Sequence, residues 1–212
     1  MIQRPNQSTS RLSTIFTLCL LSFYSAFCPL AAQADESATP AGIDPDLVLS
    51  TRGIAGQLLN QLGQKLKAAM SADGPIAAVS VCKEAAPDIA KSLSAEHGVQ
   101  ITRVGTRVRN SNMGVPNAWQ KEALAKFEAR MALGEKPADL EYWQVVDTGS
   151  GTRELHYAKA IAVQPQCLAC HGQPQDIAAP LAEKIKLEYP NDEAVGYIVG
   201  KLRGAVVVTK PL

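Results

Sequence analysis

Residues 164–176 read QPQCLACHGQPQD. The segment holds Cys167, Cys170 and His171, two of the chain's five cysteines and one of its three histidines. On one helical turn, residues i, i+3 and i+4 share a face. Two thiols at that spacing, followed at once by an imidazole, form the attachment signal for a c-type haem. The thiols reach the two vinyl groups and form thioethers, and the imidazole is carried under the ring to offer a nitrogen to the iron. A zinc site needs four ligands, usually a second pair; only Cys82 and the scattered His97 and His156 remain. A redox Cys-x-x-Cys is expected beside a thioredoxin-like βαβ pattern, and the chain around Cys167 has none. A plain structural disulfide ranks lower still. One motif predicts one haem c, covalently attached through Cys167 and Cys170.

That haem is attached outside the cytoplasm, and the N-terminus agrees. Arg4 and Arg11 form a positive n-region, STIFTLCLLSFYSAFCPLAA is an apolar run, and Ala32-Gln33-Ala34 is a small-x-small cleavage site. Residues 1–34 are read as a signal peptide cleaved after Ala34, leaving no stable membrane span and a periplasmic protein. The alternative is a retained anchor, since about 20 apolar residues span a bilayer. Removing 34 of the 212 residues leaves 178, enough for one domain with a sizeable core. Arg4 and Arg11 leave with the signal, so 19 basic residues of the 21 face all 20 acidic ones. That balance gives no reason to expect nucleic acid as a partner. Three cysteines survive in an oxidising compartment, an odd number that argues against a simple disulfide framework.

Several elements must position the motif. Residues 35–45 are a polar lead-in to a domain spanning 46–212. Ile54, Leu58, Leu62, Leu66 and Met70 recur every four residues, which predicts a long amphipathic helix ending near Asp73-Gly74-Pro75. A second helical run covers 76–98. Val79, Cys82, Ala86, Ile89 and Leu93 share one face, Pro87 kinks or restarts the helix, and Gly98 stops it. Residues 99–110, VQITRVGTRVRN, read as a strand and 118–134 as a helix closed by Gly134. Residues 140–148 and 152–163 form strands joined in a hairpin through Gly149-Ser150-Gly151. A helix over 177–189 and a β-branched run at 205–209 complete the chain. Gly196, Gly200 and Gly204 mimic a membrane helix-packing repeat, but Lys201 and Arg203 between them oppose it. The fold class is α+β: an antiparallel sheet flanked by helices, with a long N-terminal helix.

Common haem plans do not fit. Small electron carriers place the motif near the N-terminus and a methionine ligand downstream, whereas the last methionine here is Met131, upstream. Four-helix cytochromes place it near the C-terminus, but the strand signals oppose an all-helical bundle. Other polar residues have plain readings beside functional ones. Cys82 on an apolar face is a buried thiol acting as a small hydrophobe. Met70, Met113 and Met131 are core or loop residues. His97, before Gly98, caps a helix C-terminus. His156 faces either the haem or solvent. Arg103, Arg107 and Arg109 are either a solvated sheet face or bidentate partners of the haem propionates.

The chain resembles the exported single-haem c-type domains with a PAS-like fold, which occur alone or as the sensing part of bacterial receptors and are usually classed as a domain of unknown function. The resemblance rests on VCKEAAPDIA around Cys82, on TRVRN followed by VPNAWQKEAL, on CLACHG, and on YPNDEAVGYIVGKLRGAVVV. It implies that His171 and a cysteine from the early helix, Cys82 here, bind the iron. The chain departs from the family at RNSNMGVPN, where an Asn-Pro usually follows the arginine; Met113 enters that loop. The implied function is a periplasmic redox or small-ligand sensor, with a small gas as ligand and a redox or signalling protein as partner. The alternative is an electron-transfer cytochrome. No catalytic constellation is visible beyond the haem, so no enzyme is expected.

Overall fold

A computed structural model of the chain describes residues 43–149 and 151–212. The predicted signal peptide, most of the predicted lead-in and the hairpin's Ser150 lie outside the described residues. The first helix, α1 (Pro45–Ala72), begins nine residues before the predicted stripe. Asp44 caps it, its carboxylate accepting the Asp46 N–H at 2.9 Å, and Pro45 sits where its missing N–H goes unneeded. The buried stripe therefore starts at Val48 and runs through Ile54, Ala55 and Leu58. Leu62, Leu66 and Met70, predicted to continue it, are only half-buried.

The second helical run is broken in three. α2 (Gly74–Ser80) passes into a π turn (Val81–Ala85), and α3 (Ala86–His97) continues from it. Pro87 has no N–H and its ring clashes with a carbonyl four residues back. The helix answers by widening: the Ala86 N–H bonds to the Val81 carbonyl, five residues earlier. The extra residue rotates α3 relative to α2, which corrects the predicted single face. Val79 packs with Ile177, Leu181 and Ile185, while Ile89 and Leu93 pack against α1 and the sheet. Gly98 ends α3 at φ +61°, as the sequence predicts.

Strands β1 (Gln100–Gly105), β2 (Glu141–Asp147), β3 (Arg153–Ala162) and β4 (Leu202–Pro211) form one antiparallel sheet in the order β1-β4-β3-β2. The predicted strand at 99–110 stops at Gly105, so Arg103 lies on it and Arg107 and Arg109 lie in the loop beyond. Alternate residues supply the two faces. Ile101, Tyr157, Val206 and Val208 meet α1 and α3, whereas Val104, Ala158, Ala160, Ala205 and Val207 meet α4 (Ala118–Ala132) through Leu124 and Phe127. Asn117 and Gln120 form a reciprocal capping box that starts α4. Among the described residues no helix is long and apolar enough to cross a membrane.

Candidate functional site

The sheet delivers the chain to the motif. A register shift between Ile161 and Ala162 bends β3 at its end. Val163 still pairs with β4's approach, its N–H reaching the Lys201 carbonyl at 2.8 Å. A 3-10 turn over Pro165–Cys167 leads into α5 (Leu168–His171), a single helical turn. Gly172 closes that turn, its N–H bonding the Leu168 carbonyl at 2.8 Å. A side chain there would start 2.6 Å from that same oxygen, so the turn can close this tightly only on glycine.

The C-terminal end of α5 is pinned to the 192–197 loop. The Gly196 N–H reaches the Gly172 carbonyl at 2.7 Å and the Tyr197 N–H reaches the His171 carbonyl at 2.9 Å. His171 Nδ1 lies 2.6 Å from the Ala194 carbonyl oxygen. A carbonyl only accepts, so Nδ1 carries the proton and Nε2 keeps its lone pair. Burial, reinforced by the positive Arg203 and Arg109, pushes the imidazole pKa down to about 3. The ring is therefore neutral at ordinary pH, the state a metal ligand requires. A backbone acceptor on the far ring nitrogen is the usual means of orienting such a ligand.

The thiols of the motif face different apolar clusters. Cys167 borders Val163, Ala194 and Tyr197, and its sulfur accepts the Gln164 N–H at 3.4 Å. Cys170 borders Val79, Ile177, Leu181, Ile185 and Tyr189. Burial raises its pKa, with Arg109 opposing. A cavity of about 310 Å³ adjoins this second cluster, walled by Ile177, Ile185, Tyr189, Asp192 and Val195.

Arg109 ties the site together. Its side chain is 11% exposed and that of Asp192 is 9% exposed. Nε and Nη2 meet the two carboxylate oxygens at 3.1 and 2.9 Å, and Nη2 also donates to the Cys170 carbonyl at 2.5 Å and the Ala194 carbonyl at 3.3 Å. Asp192 in turn accepts the Ala194 N–H at 2.8 Å. One chain of bonds thus runs from Arg109 through Asp192 and Ala194 to the His171 ring. Arg107 donates to the Val195 and Gly196 carbonyls and lies 4.4 Å over the Tyr197 ring.

Cys82 sits in the π turn, partly buried, in the neighbourhood of Cys170, Tyr189 and Arg103. Burial, then Cys82, push the Tyr189 hydroxyl up to about 12. The next residue, Lys83, pairs with Glu188, the last residue of α6 (Ala179–Glu188), and fastens the π turn to the helix that walls the cavity.

The structure thus gathers Cys167, Cys170 and His171 with Arg103, Arg107, Arg109 and Cys82. It places the other candidates elsewhere. His156 points to the α4 side of the sheet, pairs with Glu154 at 3.0 Å and meets the Trp119 ring edge-on. Met113 is 51% exposed in the loop after β1. Met131 packs on the α4 cluster, and His97 reaches Gln57 at 3.2 Å. Asp192, Tyr197 and Arg203 were not singled out from the sequence. Arg203 carried the clearest signal, a cation opening a buried strand between Gly200 and Gly204.

A four-stranded antiparallel sheet with helices on both faces, and a Cys-x-x-Cys-His turn bound to its last loop, defines the class. The chain belongs to the Tll0287-like family, whose sequence pattern matches residues 31–211. Among solved structures it is similar to the cyanobacterial haem protein Tll0287, with 28% identity and a TM-score of 0.56, covering 80% of this chain and 97% of that one. No curated protein matches it.

Proposed function

We propose that this is an exported, periplasmic protein that binds a single c-type haem in a PAS-like domain and reports redox state or a small gaseous ligand. The observation that carries the reading is His171: neutral, partly buried, oriented through Nδ1, with Nε2 keeping its lone pair, at the end of a turn that holds two free thiols. Cys167 and Cys170 would add their S–H bonds across two vinyl groups, each sulfur bonding one carbon and the proton passing to its neighbour. His171 Nε2 and the Cys82 sulfur would be the protein ligands that hold the iron. The haem would supply a one-electron couple, and a small ligand would bind in place of Cys82.

The donor set fits that group. The thiols border separate apolar clusters, as a flat apolar body gripped at two points requires, and cationic side chains stand ready for its carboxylates. The relative's description as a haem protein supports the same reading. The strand order β1-β4-β3-β2, with the chain's last strand inside the sheet, supports the PAS-like assignment. A sensing role is supported by the site of Cys82. It sits in a π turn just before Pro87, where loss of a bond to sulfur frees a helix. Purified from the periplasm of a host with c-type maturation, the protein is expected to keep its haem through acid–acetone extraction. Haem passing into the organic phase would refute thioether attachment.

A further inference from the structure

Four arginines crowd the site, and they differ in what they already hold. The guanidinium of Arg109 is engaged by Asp192 and two carbonyls, and that of Arg107 by two carbonyls and the Tyr197 ring. Arg103 makes no hydrogen bond or ion pair with any described residue. Arg203 makes one bond, Nη1 to the Arg107 carbonyl at 3.0 Å, and lies 5.3 Å over the Tyr197 ring. An arginine carries five N–H donors, so most of the donors on these two are unused.

Both residues are also half-buried. Burial is the largest influence on each and works against the charged form. Arg203 is further opposed by Arg109 and Arg103, while Asp192, the nearby carboxylate, is held by Arg109 and the Ala194 N–H. The backbone makes room for this arrangement. A Cβ on Gly105 would come within 2.8 Å of Arg203 Nη1 and 2.6 Å of the Arg107 carbonyl, so glycine at this strand end lets the Arg203 side chain lie where it does. Two partly desolvated cations with idle donors are unfavourable unless an anion joins them.

Their positions say which anion. Arg203 lies over the Tyr197 ring, which meets the His171 ring edge-on at 6.2 Å, and Arg103 shares with Ile101 the β1 face turned to α1 and α3, the latter being the helix that follows the π turn of Cys82. Arg203 thus stands near His171 and Arg103 on the side of Cys82, the two residues that the proposed function assigns to the iron. Resting on that reading, we infer that Arg103 and Arg203, rather than Arg107 and Arg109, receive the carboxylates of the bound tetrapyrrole. Planar guanidinium forks match carboxylates bidentately. Arg107 and Arg109 instead build the loop that carries the motif.

The test uses the holo-protein and its Arg103→Gln, Arg203→Gln and Arg153→Gln variants, the last changing a cation at the far end of β3. Each is assayed for covalent haem by acid–acetone extraction, for midpoint potential, and for the propionate bending band in the resonance Raman spectrum. The expected result is retained haem, a lowered potential and a shifted propionate band in Arg103→Gln and Arg203→Gln, with Arg153→Gln like wild type. If the glutamine variants do not accumulate, Arg103→Lys and Arg203→Lys carry the test. They keep the charge and lose the fork, so the Raman band must move while the potential changes less. Covalent haem with an unmoved propionate band in both positions overturns this inference alone. Extractable haem in the wild type overturns the proposed function, and this inference with it.

Discussion

Replacing Arg109 with methionine keeps much of the side chain's length and removes its charge and all its hydrogen bonds. Asp192 would then be a carboxylate only 9% exposed, with the Ala194 N–H as its remaining partner. Removing one member of a buried ion pair costs about 3–5 kcal/mol, because the other charge stays desolvated. For a domain of this size each kcal/mol moves the melting temperature by about 2–4 °C, so Arg109→Met should melt roughly 6–20 °C below wild type. The companion variant is Asp192→Asn, whose side-chain oxygen still accepts the Ala194 N–H. In the double variant no buried charge is orphaned, so its loss should fall short of the summed single losses by about 1–3 kcal/mol. Urea unfolding of the four holo-proteins, tracked by circular dichroism, measures all terms. A loss below about 1 kcal/mol in Arg109→Met, the range of an exposed pair, would refute the reasoning. Additive single and double losses would do the same.

Cys82→Ala should remove thiolate features from the ferric spectrum, raise the potential and admit small ligands more readily, because an anionic donor favours ferric iron. A wild-type low-spin ferric spectrum in that variant would make another residue the sixth ligand, Met113 first and then His156. Glu188 gives the pH dependence. Hydrogen bonds from Lys184 and Lys83 hold its carboxyl down at about 2. Because the folded value is lowered, this stabilisation is full above the ordinary carboxyl value of ~4.3 and is lost as pH falls to about 2. The urea midpoints of wild type and Glu188→Gln should therefore differ most at pH 6 and converge near pH 2, and a constant gap across that range would contradict the assignment.

Local signals carried the motif and most of the elements. Cys167, Cys170 and His171 are legible because their chemistry lies within five positions of one chain segment. The β2–β3 hairpin and the stop at Gly98 are legible for the same reason, being set by residues a few places apart. The features that the tertiary structure alone decided are long-range or depend on a small helical insertion. That β4 enters between β1 and β3 comes from pairing across more than 90 residues, Gln100 with Thr209 and Gly105 with Gly204, which no local periodicity announces. Pro87 foretold a kink, but not that one inserted residue would turn Val79 and Cys82 toward α6 and leave Ile89 and Leu93 on the sheet. The roles of the arginines were equally hidden. The sequence supplies four cations, but only folding assigns Asp192 to Arg109, two carbonyls to Arg107, and no partner among the described residues to Arg103. A hydrogen bond saturates its donors, and which donors remain free is a property of the assembled loop rather than of any stretch of the chain.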